Sequence, residues 1–264
     1  MYAFEFVKPK SLAEAIEALQ AEEAQPLGGG QTLIPTLKQR LAMPGSLVSL
    51  AGLPELVGIS ASGGVLSVKG ATTHGAVAAQ TDFPALAALA GKIGDPAVRH
   101  RGTMGGSIAN NDPAACYPSA ALACGATIVA AGKDGTREIA ADDYFQGLFA
   151  TALEEGEIVT EIRYPIPQAA NYQKFEQPAS RFPLVGVFVA KFADKVGVAV
   201  TGAGENGVFH WEEAEAALAG SFSPDAVDGL TVSADGLMGD IHATPEYRAH
   251  LIKVLTKRAV AACA

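Results

Sequence analysis

The sequence predicts a chain of mixed helices and strands in two parts, and three observations carry that expectation. Apolar residues recur at helical spacing in some stretches and alternate, or run on unbroken, in others. Two polar, glycine-rich stretches break this patterning: Leu27-Gly-Gly-Gly-Gln-Thr-Leu-Ile-Pro35, and Arg99-His-Arg-Gly-Thr-Met-Gly-Gly-Ser-Ile-Ala-Asn-Asn-Asp-Pro-Ala-Ala-Cys-Tyr-Pro118. Pro165 and Pro167 then close a strand, residues 165–172 read as a linker, and β-rich runs followed by helices lie beyond it. With 264 residues, 49% of them hydrophobic, there is material for one large or two modest cores.

In chain order, Ser11-Leu-Ala-Glu14 is a capping box ahead of a helix whose Leu12, Ala15, Ile16 and Leu19 share a face. Residues 25–27 form a short strand that feeds the first glycine stretch, and a helix follows over 35–41. Residues 46–50 and 65–69 are strands, the second entered through the Ser-Gly-Gly turn at 62–64. Thr72 or Thr73 caps a helix over 75–80, and Asp82-Phe-Pro84 opens another that runs through Lys92. The second glycine stretch is expected to be an ordered loop. A helix over 119–124 stopped by Gly125 comes next, then a hairpin of 126–131 and 136–140 across Lys133-Asp-Gly135. Residues 157–164 alternate as a strand, and 184–192 pairs with 196–201 across Ala-Asp-Lys. Helices follow near 211–219 and over 245–262, the last opened by Thr244 and Pro245.

The chemistry concentrates in the two glycine stretches. Gly105 and Gly106 lack Cβ, so backbone there can approach a ligand and present bare N–H groups, with hydroxyls from Thr103 and Ser107 beside them. The first stretch repeats the recipe of glycines, hydrogen-bonding side chains and a helix start, an order that favours anions. Either stretch taken alone is most often only a turn, and neither matches a P-loop or Gly-x-Gly-x-x-Gly spacing. Together they suit one elongated anionic ligand gripped at two places.

Composition narrows the alternatives. A net charge of −9 without a clustered Lys/Arg face argues against nucleic acid. No apolar run reaches membrane-spanning length and the opening Met-Tyr-Ala-Phe-Glu-Phe lacks a basic leader region, which places the expected location in the cytoplasm. Cys116, Cys124 and Cys263 are too few and too scattered for an iron–sulfur cluster or a disulfide framework. The five histidines, His74, His100, His210, His242 and His250, show no zinc spacing and are expected in surface or loop packing. No nucleophile elbow or paired carboxylates stand out, so no residue is singled out as catalytic. Glycine loops without a proton-transfer constellation suit a cofactor that brings its own chemistry, and a flavin dinucleotide fits: pyrophosphate for N–H donors, ribityl for hydroxyl and amide, ring for an apolar slot.

At these residues the chain resembles the FAD-binding medium subunit of the molybdenum hydroxylases, the family of carbon monoxide dehydrogenase and xanthine dehydrogenase. Leu27-Gly-Gly-Gly-Gln-Thr-Leu-Ile-Pro35 looks like the family's first glycine loop and Arg101-Gly-Thr-Met-Gly-Gly-Ser-Ile-Ala109 like its second; the likeness continues through Gly147-Leu-Phe149, Glu157-Ile-Val-Thr-Glu-Ile162 and Ala243-Thr-Pro-Glu-Tyr-Arg248. The resemblance implies an α+β fold: an FAD-binding domain of PCMH type over 1–168, with subdomains of about 1–55 and 56–168, and a C-terminal α+β domain over 169–264 with a short antiparallel sheet. It implies that Gly28, Gly29, Gly30, Gln31, Thr32 and Leu33, with Thr103, Gly105, Gly106 and Ser107, bracket the FAD pyrophosphate and adjoining sugar. Ala109 and Asp112 continue that contact, Ile93 packs near the cofactor and Phe182 lies over the flavin.

The implied partners are a large molybdopterin subunit and a small subunit with two [2Fe-2S] clusters, as a dimer of heterotrimers. This chain would pass cluster electrons through FAD to an external acceptor. Two departures stand out: Cys116 falls where some relatives have aspartate, with Asp112 as a substitute contact, and Leu184 falls where the xanthine-oxidising branch has a lysine, so NAD is not assigned as acceptor. A stand-alone flavin oxidase or dehydrogenase, and a non-catalytic assembly module whose glycine loops only turn the chain, are the alternative readings. Valine at Gly105 or Gly106 is expected to expel FAD and spare the fold.

Overall fold

A computed structural model describes residues 1–263. The first segments are β1 (Glu5–Val7), α1 (Leu12–Ala18), β2 (Ala24–Leu27), α2 (Leu33–Lys38) and β3 (Ser46–Ser49), and the strands form a parallel sheet in the order β1-β3-β2. Ser11 caps α1 by accepting from the Glu14 N–H at 3.2 Å, but the Glu14 carboxylate accepts from Lys10, at 2.7 Å, one residue before the expected partner. Helix α2 starts at Leu33, two residues ahead of expectation, because Pro35 sits in the first turn, where its missing N–H costs no helical bond. The glycine stretch therefore leaves the carboxyl end of a parallel strand, the edge at which such sheets open crevices.

A 3₁₀ turn (Pro54–Leu56) leads to β4 (Ile59–Ser62) and β5 (Val65–Lys69), then to α3 (His74–Ala79), α4 (Pro84–Gly91), α5 (Pro96–Arg101), α6 (Met104–Asn110) and α7 (Tyr117–Cys124). Next come β6 (Thr127–Gly132), β7 (Gly135–Ala140), the single turn α8 (Ala141–Tyr144), the small hairpin β8 (Phe145–Gly147) and β9 (Ala150–Thr151), and β10 (Ile158–Pro165). These build a five-stranded antiparallel sheet, β4-β5-β10-β6-β7. Thr73 caps α3, while the Thr72 hydroxyl both donates to and accepts from Gly58.

The second glycine stretch is mostly helical, not a loop. Asp95 caps α5, Thr103 caps α6, and Asn111 ends α6 at φ +42°, so Pro-Ala-Val-Arg-His-Arg and the small-residue run of α6, neither with an amphipathic period, still fold into two short capped helices.

The last part is an antiparallel sheet of β11 (Ala169–Glu176), β12 (Pro183–Lys191), β13 (Val196–Gly204) and β14 (Gly207–His210), followed by α9 (Glu212–Gly220), a 3₁₀ turn (Pro224–Val227) and α10 (Pro245–Ala262). The linker shrinks to Ile166, Pro167 and Gln168, because β11 begins at Ala169. Strands β12 and β13 are buried nearly end to end because both faces are covered. Phe188, Ala190 and Ala199 join the core beneath α7, while Val187, Val189, Val198 and Val200 pack with Leu218 of α9 and Leu255 of α10. One apolar core thus crosses the linker and fixes the last sheet against the middle one. Among the described residues no helix is long and apolar enough to cross a membrane.

Candidate cofactor-binding cleft

Where the three parts meet lies a cleft of about 590 Å³, inside the range of small-molecule sites. Gly28, Gly29, Gly30, Gln31, Thr32 and Leu33 form one wall; Thr103, Gly105, Gly106, Ser107, Ala109 and Asp112 form the second; Ile93 and Phe182 line the same space. Every residue expected to contact the cofactor therefore lines one space.

The two glycine stretches are in contact and differ in what they offer. Gly29 packs on the α5–α6 joint so closely that an added Cβ would lie 2.6 Å from Gly102 Cα and nearer still to the Arg101 carbonyl, and a Cβ on Gly28 would lie 3.0 Å from Thr103 Oγ1. Gly30 sits at φ +72°, which turns the chain into α2. Among the described residues, no protein acceptor takes the N–H groups of Gly28, Gly29, Gly30, Gln31, Thr32 or Leu33; the first bond is from Ile34 to the Gly30 carbonyl, at 3.1 Å. Six successive unpaired amides at a helix start make an anion-binding concavity.

In the second stretch those donors are already used. Met104 donates to Thr72, Gly105 to Gly70 at 2.8 Å, Gly106 to Thr103 Oγ1 at 3.2 Å, and Ser107 to the Thr103 carbonyl. The expectation of bare amides at Gly105 and Gly106 is thus corrected, and this wall offers hydroxyls and the amide of Asn110 instead. The valine expectation is corrected too. A Cβ on buried Gly105 would lie 2.6 Å from the Gly70 carbonyl oxygen, inside the fold, whereas on exposed Gly106 it would meet only Thr103 Oγ1, at 2.8 Å.

His74 also lines the cleft, contrary to its expected role in surface or loop packing. Its backbone donates to Gly102, its Nδ1 lies 3.2 Å from the Tyr117 hydroxyl, and burial, aided by Arg99, lowers its pKa to about 4. Cys116 is buried in the wall, and burial raises its thiol pKa, so it stays protonated. The Asp112 Oδ1 accepts from Ala114 at 2.8 Å, which shapes the turn ahead of Cys116. Leu184 turns its side chain into the core of the last sheet, away from the cleft. Lys174 and Arg181, both cleft-lining, were missed in the sequence; β11 carries the first to the cleft and the turn into β12 the second. Among the described residues no group of three or more histidine, cysteine or carboxylate side chains can hold a metal.

A family model described as the FAD binding domain in molybdopterin dehydrogenase matches residues 2–167. The chain belongs to that family. Among its relatives, the carbon monoxide dehydrogenase medium chain of Afipia carboxidovorans is 33% identical, with 98% of this chain and 96% of that one aligned. The nicotine 6-hydroxylase medium subunit of Paenarthrobacter nicotinovorans is 31% identical over the same shares. Among solved structures, reconstituted CO dehydrogenase from Oligotropha carboxidovorans superposes with TM-score 0.90 at 31% identity, covering 100% of this chain and 99% of that one. Quinoline 2-oxidoreductase from Pseudomonas putida 86 gives TM-score 0.89 at 29% identity, covering 99% and 97%. This is an FAD-binding medium subunit of the molybdenum hydroxylase type, and its α+β fold is that of the carbon monoxide dehydrogenase medium chains. The cleft suits FAD in its chemistry: a row of free amides for a pyrophosphate, and apolar Ile93 and Phe182 in its lining.

Proposed function

We propose that this chain is the electron-transfer flavoprotein of a heterotrimer, taking electrons from the [2Fe-2S] clusters of a small subunit and passing them to an external acceptor, while a large molybdopterin subunit oxidises the substrate. The complex is a dimer of heterotrimers in the cytoplasm. Residues 1–168 act as the FAD-binding domain and 169–264 as the C-terminal domain that closes the ring end. The observation that carries the reading is the row of unpaired amides from Gly28 to Leu33 along one wall of the cleft. Those amides hold the pyrophosphate, Ser107 and Asn110 face the sugar and ribityl hydroxyls, and Ile93 and Phe182 exclude water from the ring. FAD supplies the exchange of two electrons for one at a time; this chain supplies position and environment.

Co-purification with its two partners tests the assignment. Flavin reduction by the substrate of the complex should require the iron–sulfur subunit; turnover of an organic substrate by the isolated flavin-loaded chain would instead favour a stand-alone oxidase. A chain that takes up no FAD would favour an assembly module.

A further inference from the structure

Lys174 is a cation held inside a cleft wall of an acidic protein. Its side chain is only 1% exposed, its Nζ donates to the Lys92 carbonyl at 2.8 Å, and the Cys116 thiol lies beside it. The carboxylate of Glu176 stands off at 3.9 Å and is 44% exposed, which leaves the buried ammonium only partly compensated. Lys174, through its bond to Lys92 beside Ile93, lines the same cleft as Phe182 and the free amides of Gly28 to Leu33.

A dinucleotide that seats its pyrophosphate on those amides puts one of its two rings here. Adenine has no carbonyl to offer an ammonium and gains no charge on turnover. The isoalloxazine has two carbonyls, and two electrons with one proton at N5 leave negative charge on its N1–C2=O edge. Resting on the FAD reading above, we propose that Lys174 is the electrostatic partner of the isoalloxazine, its ammonium set toward the N1–C2=O edge so that the flavin is easier to reduce. The electrons come from the reduced iron–sulfur partner, or from dithionite in the experiment. Lys174 is in this sense a positioning and tuning residue of the electron-transfer step.

The test is the flavin midpoint potential of the full FAD-loaded chain in Lys174→Gln and Lys174→Arg. Glutamine keeps a donor for Lys92 and loses the charge; arginine keeps the charge. The Gln variant should hold FAD at normal stoichiometry and shift the oxidised-to-reduced equilibrium at least tenfold toward oxidised, about 30 mV for a two-electron couple. The Arg variant should stay within about threefold of the unmodified chain, a tenth of a log unit per few mV on that scale. An unchanged potential in Gln, or an equal fall in both variants, overturns the role of Lys174 and leaves FAD binding standing. Failure of the unmodified chain to take up FAD overturns both. If the Gln variant loses FAD, acid titration of the reduced, unmodified chain decides: an anionic reduced flavin that persists below the pH at which free reduced flavin takes its N1 proton supports the proposal, and protonation at the free-flavin pH overturns it.

Discussion

The two glycine stretches look alike in the sequence, yet one leaves its amides open and the other consumes them. From Gly28 to Leu33 the backbone leaves a parallel strand and enters α2 with six N–H groups unpaired. From Met104 to Ser107 each amide is bonded, to Thr72, to Gly70 or within its own capping turn. The difference comes from what lies behind each stretch. The first has the cleft before it, while the second is backed by the Gly70–Thr72 junction, whose carbonyls follow the end of β5. The second stretch is therefore the platform, pressed against Gly29 by the α5–α6 joint, and the first is the anion-binding edge. Glycine is needed in both, at Gly29 and Gly105 for backbone contact and at Gly30 for its positive φ.

Substitutions that separate platform from edge sharpen this contrast. The largest effect belongs to Gly105→Val, which forces a branched side chain into the Gly70 backbone; we expect a loss of about 3 kcal/mol, read by urea unfolding of the chain without FAD. A similar loss comes with acid. His74 is neutral in the fold, with a pKa lowered to about 4 from 6.5, so between those values the unfolded chain binds a proton that the folded chain refuses. Stability present above pH 6.5 should be lost as pH falls toward 4, by up to about 3 kcal/mol, and His74→Gln should flatten that dependence. At the edge, Gly30→Val should weaken FAD at least tenfold, about 1.4 kcal/mol, because its positive φ shapes the amide row; equilibrium titration by flavin fluorescence measures it. The smallest effect is for Thr103→Ala, which removes the cap on Gly106 and should cost about 1 kcal/mol of stability with little change in FAD affinity.

The sequence made the outline legible for physical reasons that also set its limits. Caps at Ser11, Thr73 and Thr244 and the stop at Gly125 are local, so they could be read from neighbouring residues. The cleft residues were legible because glycines and hydroxyls cluster in two short runs. The helices α5 and α6 were not, since neither Pro-Ala-Val-Arg-His-Arg nor Met-Gly-Gly-Ser-Ile-Ala-Asn shows an apolar period, and the cap Thr103 sits inside what looked like a loop. Nor was the fate of the Gly105 amide, whose acceptor lies on Gly70, far away in the chain. Lys174, Arg181 and His74 reach the cleft only through long-range packing of β11, the turn after it and α3. The strand edge β1 and the hairpin β8–β9 were too short to leave a pattern.

The central claim is that the open amides of the first stretch hold the FAD pyrophosphate while the second stretch only supports them. Amide hydrogen exchange of the full chain, residue by residue with and without saturating FAD, tests it most directly. Without FAD, the amides from Gly28 to Leu33 should exchange fast and those from Met104 to Ser107 slowly; with FAD, the first set should slow at least tenfold and the second should barely change. Unchanged exchange from Gly28 to Leu33 at full FAD occupancy, or new protection confined to Met104–Ser107, would contradict the account.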